Sequence, residues 1–376
     1  MILLIALTLT ALADEPAVEA PIDTPTPTQS DPDADAARFR VTVIPGLGLN
    51  ADPDSDVDGI SVGLVGRAKN VKGVDGQAFL SWIDEDTKGA QLSGFVSVAG
   101  GSIEGVQGAG FINYAGDADL QGAGFVSVAS GDIRYGQLSG FTNIATGNVT
   151  GVQGSGFLNI ATGEEFKGVQ ASGGLNVSGD LEGVQAGIVN VGKEVNGVQA
   201  GLLNVGEKTS GLSLGLVNVA KESDAVTIAP LNFIGNGIHN IDIWASESSA
   251  VTADVKFGGK YIYTLIGAGT VRIDDPWWTF GFGMGVHIPA KLTWLEVDAS
   301  TWGIASGGQL APGAHTKLRG SLGLNLSKHF QPFVGASANT WWSDGSVRAR
   351  AVGLPVGKAS KGRITSWPGV HAGIQF

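Results

Sequence analysis

The sequence has no cysteine, little charge and no excess of basic residues. Zero cysteines among 376 residues exclude disulfide bonds and thiolate metal sites. A formal net charge of -12 argues against a nucleic-acid partner, because phosphates require a basic face. Charged residues make up 15% of the chain and hydrophobic residues 43%. In an average protein about 25% of residues are charged. So little charge over so much apolar surface indicates a partner such as lipid.

An apolar run at the N-terminus predicts export. Residues 2–12 are apolar but too few to span a bilayer, and residues 11–13 have the small-x-small pattern of a signal-peptidase site. We therefore predict a signal peptide over residues 1–13. Residues 14–38 are rich in acids, proline and threonine, and cannot bury enough apolar area to offset the entropy of ordering. This segment is predicted to be a disordered, acidic and proline-rich spacer.

Residues 58–235 repeat a short unit twelve times. Clear copies begin at Gly183, Gly197 and Gly211 and read GVQAGIVN, GVQAGLLN and GLSLGLVN. Each unit of about 15 residues joins an apolar stretch to a short polar connector, which predicts a strand and a turn. One position of the unit is usually asparagine, and across the twelve units it reads Gly66, Ser81, Ser97, Asn113, Ser127, Asn143, Asn159, Asn176, Asn190, Asn204, Asn218 and Asn232.

The segment 236–376 alternates with period two, which predicts strands that are apolar on one face and small or polar on the other. Residues 278–288 are a clear example. A predicted strand at residues 39–50 has a similar pattern, so the first and last strands are expected to pair and close one barrel over residues 39–376. A tilted strand of nine or ten residues spans about 24 Å, close to the ~25 Å apolar band of outer-membrane barrels. Eight tryptophans are expected to form an interfacial girdle: Trp244, Trp277, Trp278, Trp294, Trp302, Trp341, Trp342 and Trp367.

Two segments resemble known bacterial proteins. Phe376, with apolar residues at alternate positions before it, looks like the C-terminal signature of outer-membrane β-barrels. The form GVQAGLLNV, with Ala229-Pro-Leu-Asn-Phe233 at the end of the repeat, resembles the surface-repeat proteins of leptospires and myxobacteria. These resemblances imply contact of Phe376 with the barrel-assembly machinery and a location in the outer membrane of a Gram-negative-type bacterium, or secretion to the cell surface. The surface-repeat family brings no defined activity.

Alternate aspartates before Gly59 form a candidate calcium site. Asp54, Asp56 and Asp58 could place several carboxylates around one hard cation, although Val65 stands where an EF-hand requires glutamate. Ser213 lies in a Gly-x-Ser-x-Gly pattern, but that pattern is one unit of the repeat. The five histidines have no metal-ligand spacing. The sequence therefore predicts no catalytic residue and no enzyme, and calcium is the one cofactor considered.

Two all-β architectures fit these patterns. The first is a large up-and-down antiparallel transmembrane barrel of roughly 20 strands, with the repeat as about half of its wall. The alternative is a β-solenoid of coils of about 15 residues attached to a small C-terminal barrel. Against the solenoid, the predicted face with phenylalanine also carries asparagine, whereas a solenoid interior needs a continuously apolar face. The expected function is structural or pore-like passive transport, with a surface scaffold for protein or ligand binding as the alternative.

Overall fold

The protein is all β and combines a β-solenoid of about 12 turns with a closed eight-stranded antiparallel barrel. The structure is a computed structural model that describes residues 36–274, 277–306, 309–327, 329–343 and 364–376. The chain divides into two compact units, Met1–Gly201 and Leu202–Phe376. The predicted signal peptide and residues 14–35 of the predicted spacer lie outside the described residues, and the first strand begins at Ala37.

The first unit contains solenoid strands that pair in parallel with the equivalent strands of neighbouring coils. For example, Gln107 lies between Gln91 and Gln121 on adjacent strands of the same direction. The strands of this unit are β1 (Ala37–Ile44), β2 (Leu47–Leu49), β3 (Val57–Ala68), β4 (Val71–Ile83), β5 (Thr87–Ser93), β6 (Val96–Ala99), β7 (Ile103–Ala109), β8 (Ile112–Ala115), β9 (Ala118–Ala123), β10 (Val126–Ala129), β11 (Ile133–Ser139), β12 (Thr142–Ala145), β13 (Val149–Ser155), β14 (Leu158–Ala161), β15 (Glu165–Ser172), β16 (Leu175–Val177), β17 (Asp180–Ala186) and β18 (Val189–Ala200).

Parallel pairing decides between the two predicted architectures. An up-and-down barrel requires antiparallel neighbours, so the repeat is not part of the wall of a barrel of roughly 20 strands. The all-β class is confirmed, and the solenoid with a small C-terminal barrel is the architecture that the structure has. From β5 onward, the predicted apolar stretch of each repeat unit is two strands that meet at a corner. Because the chain turns twice in each unit, equivalent strands run in the same direction.

The corner also places phenylalanine and asparagine on opposite sides of the coil wall. Between β7 and β8, the corner residue Phe111 is exposed, whereas Gln107 and Asn113 are fully buried inside the coil. Phe111 follows Gly110, where a Cβ would lie 2.1 Å from the carbonyl oxygen of Gly94. Glycine is therefore required for the close approach of successive coils. At the corner the alternation of inward and outward side chains starts again, so phenylalanine and asparagine do not share a face. The prediction that counted against a solenoid was therefore wrong.

Amide ladders and small apolar residues fill the coil interior. The Nε2 of Gln107 donates to the Oε1 of Gln91 at 2.9 Å and to the carbonyl oxygen of Tyr114 at 2.8 Å. The Nδ2 of Asn143 donates to the Oδ1 of Asn159 at 2.9 Å. Because buried amides are costly without partners, these ladders fix the register of the coils. One cluster of buried apolar residues comprises Val57, Ala68, Val71, Ile83, Ala99, Ile103, Ala115, Ala118, Ala129, Ile133, Ala145, Val149, Ala161, Phe166, Leu181 and Val195.

The strand β1 caps the solenoid and does not close the barrel, contrary to the prediction. It pairs in parallel with β3 and in antiparallel with β2. The buried guanidinium of Arg40 donates to the carbonyl oxygens of Asn50, Asp52 and Arg67 at 2.9, 2.6 and 2.9 Å. Burial lowers the pKa of this guanidinium. These bonds satisfy backbone acceptors at the end of the described coil stack.

The second unit begins with solenoid strands and continues as the barrel. In its coils, Asn204 donates to Asn218, and Asn218 donates to Asn232, both at 2.9 Å. The strands are β19 (Leu203–Leu214), β20 (Val217–Ser223), β21 (Val226–Ile228), β22 (Leu231–Ile234), β23 (Ile238–Ser246), β24 (Ser249–Gly258), β25 (Ile262–Thr270), β26 (Trp278–Pro289), β27 (Thr293–Ser306), β28 (Gln309–Leu310), β29 (Gly313–Leu324), β30 (Gln331–Ser343) and β31 (Ile364–Gln375).

The barrel closes between its own first and last strands. Neighbours are antiparallel throughout, and β31 pairs with β23 through Asp242 opposite Gln375. Phe376 continues this seam, because its backbone N–H donates to the carbonyl oxygen of Ile241 at 2.9 Å. The prediction of C-terminal barrel strands within residues 236–376 agrees with this topology. The short strand β28 folds back on the end of β27 and is not a wall strand.

Candidate functional site

The outer surface of the barrel is apolar. Alternate residues of β26, such as Phe280 and Val286, point outward and are exposed, which confirms the period-two prediction for residues 278–288. The wall strands contain 9 to 14 residues, enough to cross the apolar band of a membrane. We name the outward-facing exposed apolar side chains the belt. The belt comprises Ile241, Ile243, Val251, Val255, Ile266, Phe280, Phe282, Met284, Val286, Ile288, Leu295, Val297, Leu318, Leu322, Leu324, Val334 and Val370.

The tryptophans do not form the girdle that the sequence predicts. Only Trp278 and Trp342 among the described tryptophans are exposed on the outside of the barrel. Four others are buried and face the interior: Trp244, Trp294, Trp302 and Trp341. An indole N–H inside a barrel needs an acceptor, and Trp244 donates to Asp254 at 2.8 Å. The interior of a small barrel therefore uses these large rings for packing.

A first group of charged residues lies inside the barrel around Lys256. Its ammonium contacts the carboxylate of Asp242 at 2.5 Å and also contacts Glu296. The Nδ1 of His287 lies 2.9 Å from Glu296, and Gln375 donates to Asp242 at 3.0 Å. Lys256, Asp242 and Glu296 are almost completely buried. Each charge is thus compensated by a close partner, as buried charges require.

A second group surrounds Arg319 and shares the same interior. The guanidinium of Arg319 donates to Asp298 at 2.9 Å and to Asp254 at 3.2 Å. It also lies 4.5 Å from the ring centre of Trp244. The ammonium of Lys317 lies over the same ring at 4.6 Å. Cation–π contacts of this kind are strongest where water is excluded.

The hydroxyl of Tyr263 links the two groups, because it lies 3.3 Å from Glu296 and 3.2 Å from Asp298. Glycines leave room for the rings inside: a Cβ on Gly281 would lie 2.5 Å from Trp302, and a Cβ on Gly323 would lie 2.1 Å from Trp294. The interior is therefore filled by side chains. Among the described residues, the Asp, Glu, Lys and Arg side chains buried inside the barrel are four acidic and three basic ones, namely Asp242, Asp254, Glu296, Asp298, Lys256, Lys317 and Arg319.

Reasoning from the sequence missed this network, although a signal for it exists. Asp254 and Lys256 flank the outward-facing Val255, and Lys317 and Arg319 flank the outward-facing Leu318. Opposite charges that alternate with apolar residues on two strands of one barrel indicate a charged interior under an apolar exterior. Which charges meet depends on the register of strands far apart in sequence.

The three aspartates of the candidate calcium site do not converge. Asp54 lies 3.9 Å from Arg67, and Asp58 lies 3.3 Å from Lys72. The amide of Asn70 donates to Asp56 at 3.1 Å. The part of the chain that the structure describes contains no group of three or more His, Cys, Asp or Glu residues that could hold a metal ion. Calcium binding at Asp54, Asp56 and Asp58 stays a prediction.

The other residues considered from the sequence have local partners. Ser213 occupies the glutamine position of its coil and is buried. The Nε2 of His371 lies 2.8 Å from the hydroxyl of Ser321, and the Nε2 of His315 lies 3.2 Å from the amide oxygen of Asn339. These contacts join barrel strands to one another.

Within the second unit, the last solenoid coil contacts the outside of the barrel. Phe233 of β22 stacks on the outward-facing Phe257 of β24, with ring centres 6.0 Å apart. The hydroxyl of Thr264, which also faces outward, donates to the carbonyl oxygen of Pro230 at 2.6 Å. At the turn between β24 and β25, Lys260 contacts Asp224 at 2.9 Å, and this hydrogen bond raises the pKa of Lys260. The coil is thus attached to the barrel wall by apolar, hydrogen-bonding and ionic contacts.

Comparison with protein-family models, with curated proteins and with solved structures finds no match. The resemblance to surface-repeat proteins therefore stays a prediction. The described ranges contain no helix with the length and hydropathy that a helical membrane span requires.

Proposed function

We propose that this chain is an outer-membrane protein in which the barrel is a membrane anchor and the solenoid is a binding scaffold. The observation that carries the proposal is the distribution of polarity in the barrel. Its exposed surface is the apolar belt, whereas seven ionisable side chains are buried inside it. A barrel in water would place those charges outside. In lipid the arrangement is favourable, because a closed barrel leaves no unpaired strand edge and keeps its charges from the hydrocarbon.

The filled interior favours an anchor over a pore. Arg319, Lys256 and Trp302 are each at most 2% exposed, and they lie among other buried side chains. Eight-stranded barrels are just wide enough for side chains to fill. The pore-like function predicted from the sequence would need an open path through this network. We therefore expect the purified protein in planar bilayers to give no steady single-channel conductance.

The scaffold function rests on the outer surface of the coils. Phenylalanines at successive corners stack with ring centres 4.9 to 5.3 Å apart, and Phe95 and Phe157 are exposed. Valines beside this row, such as Val106 and Val169, are also exposed. Regular rows of apolar side chains on an extended surface are typical of repeat proteins that bind partners.

The connections between wall strands suggest the orientation of the barrel. The end that holds the start of β23 and the end of β31 has short turns at residues 259–261 and 290–292 and a connection at residues 325–330. At the opposite end, β30 ends at Ser343 and β31 begins only at Ile364, and the other connections between wall strands are residues 247–248, 271–277 and 307–312. Outer-membrane barrels have short turns on the periplasmic side and longer loops outside. We therefore place the coils of residues 203–234, which directly precede β23, in the periplasm, whereas the resemblance to surface-repeat proteins implies the cell surface.

Membrane fractionation tests the anchor. We expect the protein to stay with the outer-membrane fraction after a urea wash and to require detergent for extraction. Unboiled samples should migrate faster than boiled samples on an SDS gel, because a closed barrel resists SDS. Release by urea without detergent, together with no heat-dependent shift, would exclude the membrane anchor.

Cysteine labelling tests the orientation, and the natural chain has no cysteine to interfere. Ile273 and Leu292 are exposed in connections at opposite ends of the barrel, with 76% and 72% exposure. We expect Ile273→Cys to react with a membrane-impermeant maleimide on intact cells. Leu292→Cys and the coil variant Lys221→Cys should react only after the outer membrane is permeabilised. The reverse pattern would place the solenoid on the cell surface.

A further inference from the structure

We propose that the last two solenoid coils, residues 203–234, rest with their apolar side chains in the lipid leaflet at the short-turn end of the barrel. This inference depends on the proposed membrane location of the barrel. The partner is a lipid surface, and the contact is made by Leu216 and Phe233. Three observations support this position: Leu216 and Phe233 are exposed, their apolar surface continues into the belt, and the coil covers the Thr264 hydroxyl of the barrel wall.

Two apolar positions of these coils, those of Leu216 and Phe233, lie beside the outer surface of the barrel wall. Phe233 is 53% exposed although it stacks on Phe257, whose side chain points outward from β24. Leu216 is 54% exposed, and it occupies the corner position that Pro230 occupies in the next coil. If the belt is in lipid, then Phe233 lies at the same membrane boundary. Contact with lipid removes the exposed leucine and phenylalanine side chains from water, which favours this position.

A groove in the barrel wall begins where the coil ends. It has a volume of about 610 Å³ and lies between Pro230 and small outward-facing residues such as Ala299 and Ala338, with Phe282 and Met284 at its sides. A groove of this size on the belt can hold part of a lipid acyl chain. The apolar surface therefore continues from the corner row of the coils into the belt.

The hydroxyl of Thr264 gives an independent reason for this docking. It points outward from β25, where lipid could not accept its hydrogen bond. The carbonyl oxygen of Pro230 accepts that bond at 2.6 Å. The last coil thus covers the hydroxyl of Thr264 in the barrel wall, whereas Leu216 and Phe233 of the coils stay exposed. This division is expected of a segment that lies at the boundary between lipid and water.

Depth-dependent quenching of fluorescence in vesicles tests the proposal. Single cysteines at Leu216, Phe233 and Lys221 are labelled with the dye NBD in the full chain, reconstituted into dioleoylphosphatidylcholine vesicles with and without nitroxide-labelled lipid. Lys221 is the control on the coil of Leu216, because its exposed ammonium contacts Glu207. Val297→Cys reports the belt. We expect at least twofold stronger quenching at 216 and 233 than at 221, and blue-shifted emission at both.

The outcomes separate this inference from the proposed function. Quenching at 297 with equal, weak quenching at 216, 233 and 221 would overturn the docking and leave the membrane anchor intact. No quenching at 297 in a protein that retains its heat-dependent gel shift would overturn both. Blue-shifted emission at 216 without quenching would assign the row to a protein partner, such as a second copy, and would also overturn the lipid contact. Leu216 and Phe233 are independent sites, so failure of one variant to fold leaves the other.

Discussion

Replacing Arg319 with methionine is expected to lower the free energy of unfolding of the barrel by about 3–5 kcal/mol. The substitution leaves Asp254 and Asp298 buried without the guanidinium that contacts them at 3.2 and 2.9 Å. A carboxylate cannot recover its hydration inside the filled barrel, so most of the cost is the penalty of unpaired charge. Urea-induced unfolding in lipid vesicles, followed by tryptophan fluorescence, measures the effect.

Lys317 provides the matched control, because it is a buried cation two residues away on the same strand. Its ammonium lies 4.6 and 5.5 Å from the ring centres of Trp244 and Trp302, and the described residues place no carboxylate within ion-pair distance of it. We expect Lys317→Met to change stability by less than about 1.5 kcal/mol, since the volume is kept and a desolvated charge is removed. Equal losses in both variants would show that bulk in the interior matters and charge pairing does not.

Replacing Gly105 with alanine is expected to destabilise the solenoid by roughly 3 kcal/mol, at the upper end of what a strained backbone costs. Gly105 has a φ of +133°, and a Cβ there would lie 2.1 Å from the carbonyl oxygen of Gly89 in the preceding coil. The substitution therefore strains the backbone and forces two coils apart. Chemical denaturation followed by far-UV circular dichroism should show a lower midpoint for the solenoid transition.

Gly122, on the neighbouring strand β9, provides the control glycine. No atom lies within 4 Å of a Cβ placed there, and its φ is outside the left-handed region. We expect Gly122→Ala to stabilise the solenoid by about 0.4–1 kcal/mol, because alanine lowers the entropy of the unfolded chain. The two variants should therefore move the midpoint in opposite directions. A similar loss in both would contradict the close approach of coils at Gly105.

The sequence by itself determined the all-β class, the presence of a repeat and the presence of strands at the C-terminus. These features are local, because a repeat period or a period-two alternation can be read from neighbouring residues. The asparagine position of the repeat, from Gly66 to Asn232, pairs with its equivalent in the next coil within each of the two compact units. Asn143 opposite Asn159 is one example. Periodicity also predicted the apolar face of residues 278–288.

Only the tertiary structure decided the direction of the repeat strands and the contents of the barrel. A nine-residue apolar stretch has the same composition whether it is one straight strand or two strands around a corner such as Gly110-Phe111. The packing of one coil on the next selects the corner, because the carbonyl oxygen of Gly94 leaves no room for a Cβ on Gly110. In the barrel, Asp254 and Arg319 meet across 65 residues of sequence. Closure of β31 on β23 sets that register, and with it the charge pairs that fill the interior.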